Sequence, residues 1–171
     1  MQKMKDLAPS IAALAVFTGL FWAMYANSPH LAKDRPPYRH STLTITRADG
    51  KAFPFAIEVA GTEAEQAYGL MFVRSLPADQ GMIFPYNPPQ EVAFWMKNTL
   101  IPLDMLFVGA DGAIGHIVAE AQPENLTPIP SQIPVIAVIE IKGGQAKADG
   151  LAVGDKITTP VLKDIGNKPA P

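Results

Sequence analysis

The chain has 171 residues and a formal charge of −2, with 14 Lys and Arg against 16 Asp and Glu. That length holds one domain with extensions, and that charge excludes the strongly basic surface of a nucleic-acid binder. With no cysteine in the chain, disulfides, thiolate metal sites and cysteine nucleophiles are excluded too.

Lys3 and Lys5 open the chain, and an uncharged run then extends from Leu7 to Ala26. It is about the 20 residues that a helix needs to cross a bilayer. Trp22 and Tyr25 stand at its far end, where amphipathic rings favour the membrane boundary. Residues 1–27 therefore predict an N-terminal hydrophobic helix that anchors the chain in the membrane through residues 7–26. A cleaved signal peptide is the rival. Its best site, Ala26-Asn27-Ser28, is followed at once by Pro29, which opposes cleavage and favours the anchor. Either way the body is sent outward. The expectation is a single-pass inner-membrane protein with its domain in the periplasm, or a periplasmic protein if the signal is cut.

Residues 28–40 mix proline with charge and read as a tether. The domain occupies 41–165, with a tail at 166–171. STLTITR alternates as a half-buried strand. The ADG turn at 48–50 leads into FPFAIEV, where Pro54 predicts a sheet edge. Thr62 and Glu65 form a capping box that opens a helix over 63–72, with Ala64, Ala67, Leu70 and Met71 as its buried stripe. MIF predicts a short strand, PYNPPQ a loop, and EVAFWMKN and LDMLFV two more strands. A second hairpin turn at Asp111-Gly112 leads to AIGHIVAEA. After a proline-rich crossing, the nearly continuous apolar run VIAVIEI predicts a strand covered on both faces. GGQAKADG predicts a helical turn ending at Gly150, and GDKITTPV closes the sheet. The fold class is mainly β, an antiparallel sandwich or jelly-roll-like barrel with one short helix.

The blocks GLMFVRSLPADQGMIFPY, FWMKNTLIPLDMLFV and VIEIKGGQAKADGLAVGDKI, in that order over residues 69–157, resemble domain-of-unknown-function family 192. The resemblance implies a mostly β domain, commonly exported behind a hydrophobic segment. It implies no activity, because the family has none established.

The middle block carries Lys97, Asn98 and Asp104 in the most apolar stretch of the domain. Two readings fit. One is a buried Lys97–Asp104 ion pair that sets strand register, with Asn98 satisfying an irregular bend. The other is a site in which Arg74, Trp95, Lys97, Asn98 and Asp104 bind a small anionic or sugar-like ligand, or in which Asp104 and Lys97 serve catalysis. Met71, Met82, Met96 and Met105 read as core rather than as metal ligands, so no metal is expected. His116, sharing a strand face with Ile114 and Val118, reads as a satisfied or half-buried strand histidine rather than a ligand. No nucleophile elbow, phosphate loop or cofactor motif is present.

Overall fold

The computed structural model describes residues 35–166. The expected membrane span, most of the tether and most of the tail lie outside them. Within the described residues no helix is long and apolar enough to cross a membrane.

Among the described residues nine strands and three short helices follow in chain order: β1 (Arg39–Thr46), β2 (Ala52–Val59), α1 (Glu63–Tyr68), β3 (Gln80–Gln90), β4 (Ala93–Phe94), β5 (Leu103–Val108), β6 (Ile114–Ala121), β7 (Ile129–Pro130), β8 (Val135–Lys142), α2 (Gln145–Asp149), β9 (Lys156–Thr158) and α3 (Pro160–Gly166). Seven of the strands form one sheet in the order β6-β5-β8-β3-β2-β1-β9, and β4 pairs with β7 apart from it. The sheet curls until its two edge strands touch at one end. There Ala113 bridges Lys156, the Ile114 amide donates to Asp155 at 2.9 Å, and the Ile157 amide donates to Gly112 at 2.9 Å. The mainly β expectation holds, as one curled half-barrel rather than two packed sheets. β2 and β3 run parallel, which departs from an all-antiparallel pattern. They are linked through α1, because a parallel pair cannot be joined by a tight hairpin.

The curl has two cores. Its concave side gathers Leu43, Ile57, Ile83, Leu106, Ile139 and Ile157, among others, from seven strands. On the opposite face of β3, β5 and β8 a second cluster includes Met82, Phe84, Leu103, Met105, Phe107 and Val138. Met96 joins it from the chain after β4, Phe94 packs on it from β4, and Val73 and Ile101 pack on it from the loops. All six residues of β5 are buried because both of its faces are covered.

Both expected hairpins form. Gly50 at φ 84° and Gly112 at φ 71° supply the left-handed turn positions that L side chains resist. The capping box is present, but α1 stops at Gly69, so Leu70 and Met71 are buried beyond its end. Ala64 is exposed and Ala67 half-buried, while Tyr68 is the helix's buried residue. Pro54 is not on an edge strand. It sits opposite Thr44 of β1, and on its other side β3 pairs only from Ala56 onward, so no ladder bond is lost. β3 continues through PYNPPQ with a register shift between Pro85 and Gln90. EVAFWMKN shrinks to the two residues of β4. α3 was not expected; it begins at Pro160 and buries Val161 in the concave core.

Because among the described residues both cores are built from residues 38–161, a chain lacking residues 1–30 should fold. Its circular dichroism should be that of a β protein, with one cooperative urea transition. A helix-dominated spectrum or aggregation would contradict the fold's self-sufficiency.

Candidate functional site

The position of Asp104 follows from strand alternation. Leu103, Met105 and Phe107 of β5 enter the outer cluster, and Leu106 and Val108 enter the concave core, so Asp104 faces the concave side. It is fully buried and accepts three backbone N–H groups. Its Oδ1 takes Glu120 at 2.7 Å and Gly144 at 2.9 Å, and its Oδ2 takes Ala146 at 2.7 Å. Gly144 opens α2 and brings no side-chain cap of its own. Asp104 caps that helix from 40 residues away, placing its charge where orphan amides and the helix dipole favour an anion. The chain at Gly143 can come this near only without a side chain, since a Cβ there would lie 2.8 Å from Pro102.

The Lys97–Asp104 ion pair expected from the sequence is not formed. The two residues belong to opposite sides of the sheet, and both Asp104 oxygens are already engaged. Asp104 is thus the acceptor that joins β5, β6 and α2. Asp104→Ala would leave three inward-turned amides without an acceptor and should cost about 3–5 kcal/mol. The urea midpoint of the truncated domain measures this, and Asp104→Asn should recover part of the loss.

Trp95, Lys97 and Asn98 are not on a strand. The chain there is held by other loops: the Met96 amide donates to Asn125 at 2.9 Å, Phe72 to Asn98 at 2.8 Å, and Glu124 to Thr99 at 3.1 Å. Phe72, Asn98 and Glu124 all have left-handed φ, at 63°, 54° and 58°, which is costly for non-glycine residues. The three meet through the hydrogen bonds just named. The Asn98 side chain reaches back to the Met71 sulfur at 3.6 Å, and the Lys97 ammonium lies 4.9 Å from the Trp95 ring centroid. Arg74 is exposed on the loop after Val73. Of the five candidates, the structure brings Trp95 to Lys97 and ties Asn98 to the loop carrying Arg74. It sets Asp104 apart.

Sequence reasoning missed Glu140. It is the one acid in the apolar run of β8 and is only 5% exposed. In register it stands between Met82 of β3 and Met105 of β5, on the outer cluster that Met96 joins. Among the described residues no hydrogen bond or ion pair satisfies it. The contrast with the other buried acids is sharp: Asp104 holds three amides, and Asp155 holds those of Ala48 and Ala152. Desolvation pushes the Glu140 carboxyl up to about 8, so it is mostly neutral at pH 7 and able to donate. Burial, and then the Glu140 carboxyl itself, push the Tyr86 phenol up as well. Aromatic rings complete the surface, with Phe94 edge-on to Phe84 at 5.0 Å and to Phe107 at 6.3 Å.

His116 stacks on Phe107 at 5.4 Å, and its Nε2 is buried without a hydrogen bond, so of the two states expected for it the half-buried one is seen and the satisfied one is not. Nor does it share a face with Ile114. A register shift opposite Phe107 and Val108 turns Ile114 into the concave core. Among the described residues no cluster of three His, Asp or Glu side chains could hold a metal ion.

Raising a carboxyl's pKa on folding makes the folded state the tighter proton binder. Stability should therefore fall as pH rises from about 4.5, the ordinary value, through about 8, by on the order of 3–5 kcal/mol in total. Glu140→Gln should flatten this fall. Urea midpoints of the truncated domain taken from pH 5 to pH 9 check it, and a parent without the slope would refute the assignment.

The profile of the DUF192 family, described as "Uncharacterized ACR", matches residues 44–159. The chain belongs to the DUF192 family. The match spans all of the sheet except the first residues of β1. Among the solved structures that resemble this DUF192 domain are two of unassigned or candidate role. A Novosphingobium aromaticivorans protein of unknown function is 40% identical, with 77% of this chain and 98% of that chain covered and a TM-score of 0.68. A Sinorhizobium meliloti protein described as a candidate transcription regulator is 33% identical, with 74% and 98% covered and a TM-score of 0.71. Among the curated proteins there is no match.

Proposed function

We propose that this DUF192 protein is a membrane-anchored, periplasm-facing module that binds a small polar ligand, sugar-like or anionic, on the outer cluster. The observation that carries the reading is Glu140, a carboxyl kept in an apolar core without an internal partner. Burying such a group costs free energy, and a chain that satisfies Asp104 and Asp155 so fully has the means to satisfy or replace it. An acid that stays protonated at neutral pH can donate a hydrogen bond to a sugar oxygen or a carboxylate. The loops over this face add a cation at Lys97, a ring for stacking at Trp95 and an exposed guanidinium at Arg74. Their left-handed residues fix those loops in advance, which limits the ordering entropy a ligand must meet. The anchor rests on the uncharged run Leu7–Ala26. Lys33, Arg35 and Arg39 beyond it nearly balance Lys3 and Lys5, so the periplasmic placement rests on the usual outward export of a domain behind such a segment.

Isothermal titration of the full chain in detergent, with neutral monosaccharides and with small mono- and dicarboxylates, tests the reading. One of these classes should bind. Glu140→Gln and Lys97→Met should each weaken that binding by about tenfold or more with the urea midpoint at pH 5 kept. Binding by neither class, or binding indifferent to both substitutions, would refute it.

A further inference from the structure

Three exposed apolar side chains stand on loops whose backbones are hydrogen-bonded to one another. Phe72 is 38% exposed, Leu100 37% and Leu126 52%. They come from three separate loops, joined by the hydrogen bonds Phe72 to Asn98, Glu124 to Thr99 and Met96 to Asn125. No glycine eases the turns at Phe72, Asn98 and Glu124, and the Phe72 ring is braced edge-on by Tyr68 at 6.0 Å. A strained backbone that holds apolar side chains in water is a cost without a return inside the fold.

We propose that these three loops form a docking surface for the lipid bilayer, with Phe72, Leu100 and Leu126 entering the membrane interface. The proposal rests on the membrane-anchor reading above. What selects lipid as the occupant is where the chain comes in. Tyr38, the first buried residue of the domain, donates its hydroxyl to the carbonyls of Glu65 at 3.1 Å and Gly69 at 3.0 Å. The chain arriving from the N-terminal segment therefore joins the domain three residues before Phe72, at the end that carries the patch. Residues 27–37 lie between the apolar run and Tyr38, so the tether is attached at this end of the domain. The chemistry of the rim agrees. Arg74 lies two residues from Phe72 and Lys97 three from Leu100, where long cationic side chains can meet headgroup phosphates while apolar tips go deeper. Glu124, exposed on the third loop, would remain in the headgroup water.

The absence of native cysteine makes the test direct. Full-length chains carrying Leu126→Cys or Val153→Cys, labelled with a polarity-sensitive fluorophore, are reconstituted into phosphatidylcholine–phosphatidylglycerol vesicles. Val153 is 64% exposed and precedes Gly154, whose amide bonds Ile114 at the other end of β5, so it serves as the water-facing reference. The label at 126 should shift to the blue and lose iodide quenching, while the label at 153 stays quenched. Equal quenching at both positions would overturn the proposal. So would shielding at 126 that disappears as protein is diluted in lipid, which would assign the patch to a second copy of the chain. Flotation of the same vesicles separates the two readings. A chain that fails to float overturns the anchor and the docking surface together, whereas one that floats with residue 126 in water overturns the docking surface alone.

Discussion

Burial of both faces of β5 and β8 is the constraint on which the rest of the molecule depends. A strand in that position has no water on either side, so every polar side chain it carries must find a protein partner or remain desolvated. The two strands contain one acid each, with opposite outcomes. Asp104 is met by three amides of the neighbouring chain, and the geometry of β6, α2 and the Pro102–Gly143 approach is arranged around it. Glu140 meets two methionines and a phenol. One carboxylate builds the fold, and the other is tolerated by it.

The architecture could be read from the sequence wherever local chemistry dictates conformation. The Ala48-Asp49-Gly50 and Asp111-Gly112 turns, the Thr62–Glu65 capping box, the doubly covered VIAVIEI strand and the Gly150 terminator are cases where a few adjacent residues suffice. The errors arise where the partner is distant. The segment 91–98 alternates like a strand, yet only Ala93 and Phe94 pair as one; beyond them the Met96 amide and the Asn98 carbonyl are taken by loops at Asn125 and Phe72, so Trp95 and Lys97 never acquired a strand face. Pro54 indicates an unpaired neighbour, which an edge supplies, but so does a strand interior beyond the end of a short parallel pair. For the candidate site, the apolar stretch with polar residues was visible, and it correctly singled out Asp104 as unusual. Its partners could not be inferred, because backbone amides leave no signature in side-chain identity. Glu140 did leave one, a lone acid in an apolar run.

The loops over the outer cluster differ from the sheet in how they are stabilised. The sheet relies on regular ladders and apolar contact, which distribute the energy over many residues. The loops rely on a few bonds between irregular segments, with left-handed residues held by surroundings that over-determine them. Such regions combine fixed geometry with low intrinsic stability. A binding surface needs that pairing: side chains pointed in advance, on chain that can yield locally without unfolding the core.

The seam where the two ends of the sheet meet has a further consequence, for how copies of the chain behave beside one another. An open sheet offers two rows of unpaired amides and carbonyls to any neighbouring strand. Here β9 is three residues long and shares its Lys156 end with the start of β6, so each margin shields the other. Farther along β6 the Glu120 amide is turned inward to Asp104 and its φ is 51°, which bends that margin out of the plane a pairing strand would need. The seven-stranded sheet is closed to edge-to-edge growth at one end by its own backbone and at the other by a twist. Crowded copies are therefore left to meet through side chains, where recognition can be selective, rather than through the indiscriminate chemistry of the peptide bond.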